Sequence, residues 1–302
     1  MKLAGLFPGQ GSQQVGMGKT FFENNQTARA LYELADKTLG FSISTLSFNG
    51  PIETLTLTQN AQPAILVSSY ASYLTAAVNL DVAAGHSLGE YTALVAAKSI
   101  SFEDAVSLVY KRGRYMQEAV PQGVGSMVAV MGPSEDEIRL ICESVSGICE
   151  IANLNCPGQT VVAGAKASVD EFSIKMAEKG GKIIPLNVSA PFHCSLMKPA
   201  ADNLAKDLDA ITFEDPAFPV YANVTAKPVT AGADARELLK RQVCGSVRWT
   251  DSVKEMVKDG VTSMVEFGPG AVLSKLVKRI DATPKRVEIG VFTDLEKLST
   301  LS

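Results

Sequence analysis

A serine stands between two glycines in Gly85-His86-Ser87-Leu88-Gly89, inside the stretch "AAGHSLGEYTAL". G-x-S-x-G suits a serine nucleophile only where a strand precedes it and a helix follows, because that sharp turn exposes Oγ. The start of the helix also leaves N–H groups without intrahelical partners. Here the apolar "LDVAAG" comes before the serine and an alanine-rich run after it, so the context favours a nucleophile over a plain tight turn. The N–H of Leu88, the next residue, is then an oxyanion donor. A serine hydroxyl needs a base, and the chain has two histidines. His86 adjoins Ser87, and neighbours on such a turn point to different sides. His193, in the loop "SAPFHC", taken alone reads as an ordinary polar loop residue. With Ser87 in want of a base, it becomes the better candidate. Spacing identifies no third triad member. A backbone carbonyl accepting from the second ring nitrogen would orient the imidazole equally well.

The stretch "YKRGRYMQ" adds three cations. Projected at about 100° per residue, Ala105, Val106, Val109, Gly113 and Met116 share one side, with Lys111 and Arg114 opposite. Arg112 falls at the border of the apolar face. A guanidinium there suits two parallel hydrogen bonds to a carboxylate, or an internal salt bridge, and periodicity does not choose between them. Other patterns fail. "GQGSQQ" lacks the third glycine of a dinucleotide loop, and "VGMGKT" would need a glycine where Gln13 stands. Cys194 adjoins His193, but sequence neighbours rarely face each other, which leaves it a plain loop thiol.

These residues must be positioned by strands and helices that the sequence marks unevenly. Lys2 to Phe7 reads as a strand entering the turn "PGQGSQ". A helix follows over Thr27 to Leu39, and Pro63 is suited to open the next, running to about Asn79. "LDVAAG" is a strand and Leu88 to Ala97 a helix, so Ser87 falls on the turn between them. "SFEDAVSLVYKRGRYMQEA" is another helix, capped by Ser101 with Asp104 three positions on. From Ser126 to Val188 the order becomes β-α-β-β-α-β. "SMVAVM", "EIANLN", "TVVAGA" and "KIIPLNV" are its strands. "SEDEIRLICESV" and "SVDEFSIKMAEKGG" are its helices, with cap spacings Ser134/Glu137 and Ser168/Glu171. That order is the split βαβ arrangement of ferredoxin-like units, inserted here into a larger α/β domain. "SLMKPAADNLAKDL" is a helix, "FPVYANV" and "TSMVEFG" are strands, and Thr283 to Ser302 reads as a weakly packed tail.

The 302 residues, 46 % apolar and 20 % charged, supply ample core for one large domain or two ordinary ones. A net charge of −4 gives no broad attraction to nucleic acid or anionic lipid. No apolar run reaches bilayer length, and Leu3 to Phe7 is too short for a signal peptide. Five cysteines without a C-x-x-C pair read as reduced thiols, which points to the cytoplasm. Two histidines and no paired-cysteine spacing leave little for a metal.

"FPGQGSQ", "AGHSLGEY", "KRGRYMQEAVP", "NCPGQTVVAG", "PFHCSLMKPAA" and "EFGPG" together resemble the malonyl-CoA:acyl-carrier-protein transacylase family of bacterial type II fatty acid synthesis. The likeness runs in order from about residue 3 to about residue 280. It implies an α/β fold, an α/β-hydrolase-like core (residues 1–123 and 191–302) with an inserted ferredoxin-like subdomain (124–190). It implies Ser87 as nucleophile, His193 as base, and backbone N–H groups of Gln10 and Leu88 as the oxyanion hole. Arg112 would hold the malonyl carboxylate. A main-chain carbonyl near Arg241-Gln242, with Asn223 nearby, would orient the histidine. Phe192 before that histidine resembles malonyl-using relatives. Malonyl-CoA and the phosphopantetheine arm of acyl carrier protein would be the partners of an expected monomer, with no cofactor and no metal. Since such carriers are acidic, Lys111, Arg114 and Lys198 are candidate docking cations. Rival readings are a malonyl transferase of a polyketide pathway, a serine thioesterase or esterase, and a non-catalytic carrier-binding module.

Overall fold

A computed structural model describes residues 2–121, 123–186, 188 and 190–301. Its strands are β1 (Leu3–Phe7), β2 (Val82–Gly85), β3 (Gly125–Met131), β4 (Cys149–Cys156), β5 (Gln159–Ala165), β6 (Lys182–Pro185), β7 (Val220–Tyr221), β8 (Pro228–Val229), β9 (Ser263–Phe267) and β10 (Lys285–Ile289). The first half holds helices α1 (Lys19–Asn24), α2 (Gln26–Leu39), α3 (Ile43–Asn49), α4 (Ile52–Thr56), α5 (Thr58–Ala76), α6 (Leu88–Ala96) and α7 (Phe102–Glu118). Then come α8 (Glu135–Ser144), α9 (Lys166–Glu178), α10 (Lys198–Asp209), α11 (Gly232–Gln242), α12 (Trp249–Lys258) and α13 (Val272–Ile280).

The strands form two sheets, so the fold is α/β. The larger runs β10-β9-β1-β2-β7-β8, parallel except for the last pair. A parallel sheet covered on both faces favours strands that are apolar along most of their length, and β1 and β9 are buried throughout. Leu3 and Phe7 point into the core that includes α5, α6 and α7. Ala4 and Leu6 point to the opposite core, with Trp249, Val253 and Val277 of α12 and α13. The smaller sheet is antiparallel, in the order β4-β5-β3-β6. Along β3, Val128 and Val130 meet Ile138 of α8 and Phe172 of α9. Met127 and Ala129 turn the other way, into the main core. This period of two is what seats the small sheet against the large unit.

Several expectations meet the structure closely. Ser101 caps α7 by accepting from the Asp104 N–H, and both bonds of the Ser134/Glu137 capping box are present. Others need correction. Pro63 does not open a helix: α5 begins at Thr58 and carries the proline inside. Most of α5 is buried, so packing holds a helix that lacks one backbone bond. Ser168 does not cap α9, whose N-cap is Ala165. Ser168 Oγ donates instead to the Ser146 carbonyl, and Glu171 accepts from the Ser146 N–H. The strand expected over "KIIPLNV" is Lys182–Pro185, and Asn187 lies outside the described residues. "FPVYANV" keeps only two strand residues, Val220 and Tyr221. The supposed tail is packed: β10 pairs in parallel with β9, Ile289 is buried, and so is Leu301 beyond it. Its Ser302 lies outside the described residues.

Candidate active site

Between the end of β2 at Gly85 and the start of α6 at Leu88 the chain has two residues in which to reverse. The flanking glycines make that possible. A Cβ on Gly85 would collide with the backbone of Gly89, and one on Gly89 with the Phe7 carbonyl of β1. Ser87 sits at the apex with φ 51° and ψ −104°, in the positive-φ half of backbone space that L-residues avoid. His193 is likewise at φ 58°. Both chemically important side chains are thus presented from strained backbone.

Ser87 Oγ lies 2.7 Å from His193 Nε2. His193 Nδ1 lies 2.9 Å from the Gln242 carbonyl and 3.1 Å from that of Gly245. Carbonyl oxygens only accept, so Nδ1 carries the proton and Nε2 offers its lone pair to the serine hydroxyl. Burial, with the Arg112 charge second, pushes His193 down to about 3, which keeps the ring neutral. No carboxylate is needed to set the tautomer. His86 turns away: its Nε2 donates to Asn155 Oδ1 at 2.9 Å, and its ring lies 5.8 Å from that of Trp249.

Arg112 is 1 % exposed on α7. Its Nη2 donates to Ser87 Oγ at 3.1 Å and to Gln242 Oε1 at 3.0 Å, and Nη1 donates to Gln62 Oε1 at 2.9 Å. The guanidinium also lies over the Tyr91 ring, 5.3 Å from its centroid. Among the described residues Arg112 forms no salt bridge. The internal ion pair that periodicity left open is therefore not formed. Its Nε is buried with no hydrogen-bond partner among the described residues. The groups in direct contact with this buried cation are all neutral, and a carboxylate brought into contact would relieve it.

Gln242 and Asn223 bind these parts together. Gln242 Nε2 donates to the Ser87 carbonyl at 2.9 Å and to Glu90 Oε2 at 2.7 Å. Asn223 needs a correction. Its Oδ1 accepts from the Ser87 N–H and its Nδ2 donates to the Gly85 carbonyl, each at 2.7 Å. Both ends of that amide are spent on the elbow, so Asn223 orients the serine backbone and not the histidine. The Ser87 N–H is consumed in the process. The N–H groups of Leu88 and Gln10 have no protein acceptor among the described residues, and both residues line the cavity above Ser87.

That cavity has a volume of about 210 Å³, enough for a small acyl group, and its apolar wall includes Met116, Met127, Leu186 and Phe192. Among the described residues no cluster of three or more histidine, cysteine or acidic side chains could hold a metal ion. The five cysteines are free, and buried Cys194 donates to the Pro191 carbonyl at 3.0 Å, with burial pushing its thiol up to about 12. A thiol so held is a poor nucleophile. Lys111 pairs with Asp207 at 2.6 Å, Arg114 with Glu118 at 3.9 Å, and Lys198 with Asp202. Sequence reasoning missed Glu90, Gln62 and Asn155. An acidic residue in a first helical turn is ordinary, so Glu90 gave no signal.

The family model "Acyl transferase domain" matches residues 6–288. A malonyl CoA-acyl carrier protein transacylase of Bacillus subtilis is 45 % identical over 295 residues, covering 95 % of this chain and 93 % of the relative. A crystal structure of the same-named protein from Clostridium perfringens superposes with a TM-score of 0.96 at 39 % identity, covering 100 % of this chain and 97 % of the other. A type II PKS acyl-carrier protein has been solved in complex with its malonyl-transacylase, which is 39 % identical with a TM-score of 0.95, each chain covered to 98 %. No helix among the described residues is long and apolar enough to cross a membrane.

Proposed function

This chain belongs to the acyl transferase domain family, and from that premise we propose that it moves a malonyl group from malonyl-CoA to the phosphopantetheine thiol of acyl carrier protein, supplying fatty acid elongation. Ser87 attacks the thioester carbonyl while His193 Nε2 takes the hydroxyl proton. The N–H groups of Leu88 and Gln10 receive the oxyanion, at a cost of about 10²–10³ in rate for each such donor removed from comparable enzymes. His193 returns the proton to the leaving coenzyme A thiolate, and a malonyl-serine remains. The carrier thiol then runs the steps in reverse.

Arg112 carries the choice of acyl group. A buried guanidinium without an ion pair, within 3.1 Å of the nucleophile oxygen, suits an acyl chain that ends in a carboxylate. An esterase or thioesterase of neutral chains has no use for it. Phe192 lines the same cavity and limits its width. In this reading the large sheet with its helices is an α/β-hydrolase-like core (residues 1–123 and 191–302). The four-stranded unit, with strand order β4-β5-β3-β6, is a ferredoxin-like subdomain (124–190). A cytoplasmic location fits the free thiols, and a monomer is the state we propose. The test is incubation with malonyl-CoA and holo carrier protein, followed by mass spectrometry of the carrier. Wild type should add a malonyl group and Ser87→Ala should not; a carrier left unmodified by wild type would refute the reading.

A further inference from the structure

Glu90 sits in the first turn of α6, three residues after the nucleophile, and is 3 % exposed. Its Oε2 accepts from Gln242 Nε2 at 2.7 Å and from the Asn223 N–H at 3.0 Å. Gln242 Oε1 in turn accepts from Arg112 Nη2 at 3.0 Å. One buried amide thus joins a carboxylate to the guanidinium that touches Ser87 Oγ. The other titratable groups facing Glu90 are Arg112 of α7 and Tyr91 of α6, while Asn223 and α11 present uncharged amides.

We propose that Glu90 is a specificity-determining residue, the resident buried anion that competes with the carboxylate of the acyl group for the charge of Arg112. The inference rests on the malonyl reading above and follows from counting charge. With Glu90 ionised, Glu90 and Arg112 sum to zero. A neutral acyl group leaves that sum at zero, whereas a malonyl group brings it to −1 in a cavity walled largely by apolar side chains. With Glu90 neutral, malonyl completes the balance and a neutral acyl group leaves a cation uncompensated. Uncompensated buried charge is expensive. The ionised form therefore favours neutral acyl groups, and the neutral form favours malonyl. Burial pushes Glu90 up to about 7, against the pull of its hydrogen bonds and of Arg112, so both forms are populated near neutral pH.

The test measures acylation of Ser87 by malonyl-CoA and by acetyl-CoA, from about pH 6 to about pH 8.5, for wild type and Glu90→Gln. The amide retains an oxygen able to accept both hydrogen bonds but not the charge. Taking the ratio of the two rates cancels the coenzyme A phosphates, the titration of His193 and any general loss of order in the site. The wild-type malonyl-to-acetyl ratio should fall about tenfold as pH rises through about 7, the order of effect expected from one charge across an intermediate dielectric. In Glu90→Gln the ratio should stay at the high value throughout. A flat wild-type ratio, or a Glu90→Gln ratio that still falls with pH, overturns the inference; should Glu90→Gln fail to fold, the wild-type profile decides. Absence of malonyl-serine at every pH would overturn the malonyl reading as well, whereas normal acylation with a flat ratio overturns this inference alone.

Discussion

Ser87 Oγ is held between a bare imidazole nitrogen and a guanidinium, and the two partners do different work. In the proposed reaction His193 takes the proton, while Arg112 is held for the carboxylate of the acyl group. Charge-assisted hydrogen bonds contribute about 1.5–3 kcal/mol each. Arg112→Ala should therefore lose at least one to two orders of magnitude in acylation by malonyl-CoA. Acetyl-CoA should hold steady or improve, because no unpaired cation then remains in the cavity. Arg112→Lys should rescue malonyl poorly, since an ammonium cannot make two parallel bonds. The measurement is the rate of Ser87 acylation by each thioester, and equal losses on both would make Arg112 a purely structural residue.

The elbow is an element under strain, and the strain has a measurable size. A non-glycine residue in a disfavoured backbone region costs about 1–3 kcal/mol, partly offset by the roughly 0.5–1 kcal/mol that glycine loses in chain entropy. Ser87→Gly and Ser87→Ala lack the same hydroxyl, so their difference isolates the backbone. Ser87→Gly should be the more stable by about 1 kcal/mol in denaturant unfolding; equal stability would mean that the strain at Ser87 is no larger than the chain entropy glycine loses. This turn was legible in the sequence because it has a local signature, a strand, two glycines and a helix in sixteen residues or so. The caps at Ser101 and Ser134 were legible for the same reason. The start of helix α5 was not, because its burial on nearly all sides leaves no amphipathic stripe and its first turn has no side-chain cap. Strand β10 was hidden in "KRVEI", whose charges suit a sheet edge as well as a loop. Asn223 and Gln242 meet Ser87 and Glu90 only through contacts between distant segments, which no local pattern encodes.

Across the whole molecule the net charge is −4, and the carrier proposed as its partner is acidic. Docking must then draw on local cations. Lys111, Arg114 and Lys198 stand on α7 and at the start of α10, each already beside a carboxylate of its own chain. Exposed pairs of this kind are worth little and exchange partners readily. Transfer to carrier protein should fall with ionic strength, over a Debye length of about 8–10 Å, more steeply than transfer to free pantetheine. Equal salt responses would remove electrostatic docking from the account. The proposed nucleophile and oxyanion loop follow the neighbouring strands β2 and β1 of the large sheet, and the guanidinium comes from α7. The histidine enters from the loop that follows the small sheet, and the cavity between them is lined by both units. All of this geometry converges on one atom. Wild-type protein incubated with malonyl-CoA in the absence of carrier, then digested and mapped by mass spectrometry, should carry malonate on the peptide containing Ser87. Malonate on the peptide containing Cys194, or an undiminished adduct on Ser87→Ala, would contradict the assignment of the nucleophile.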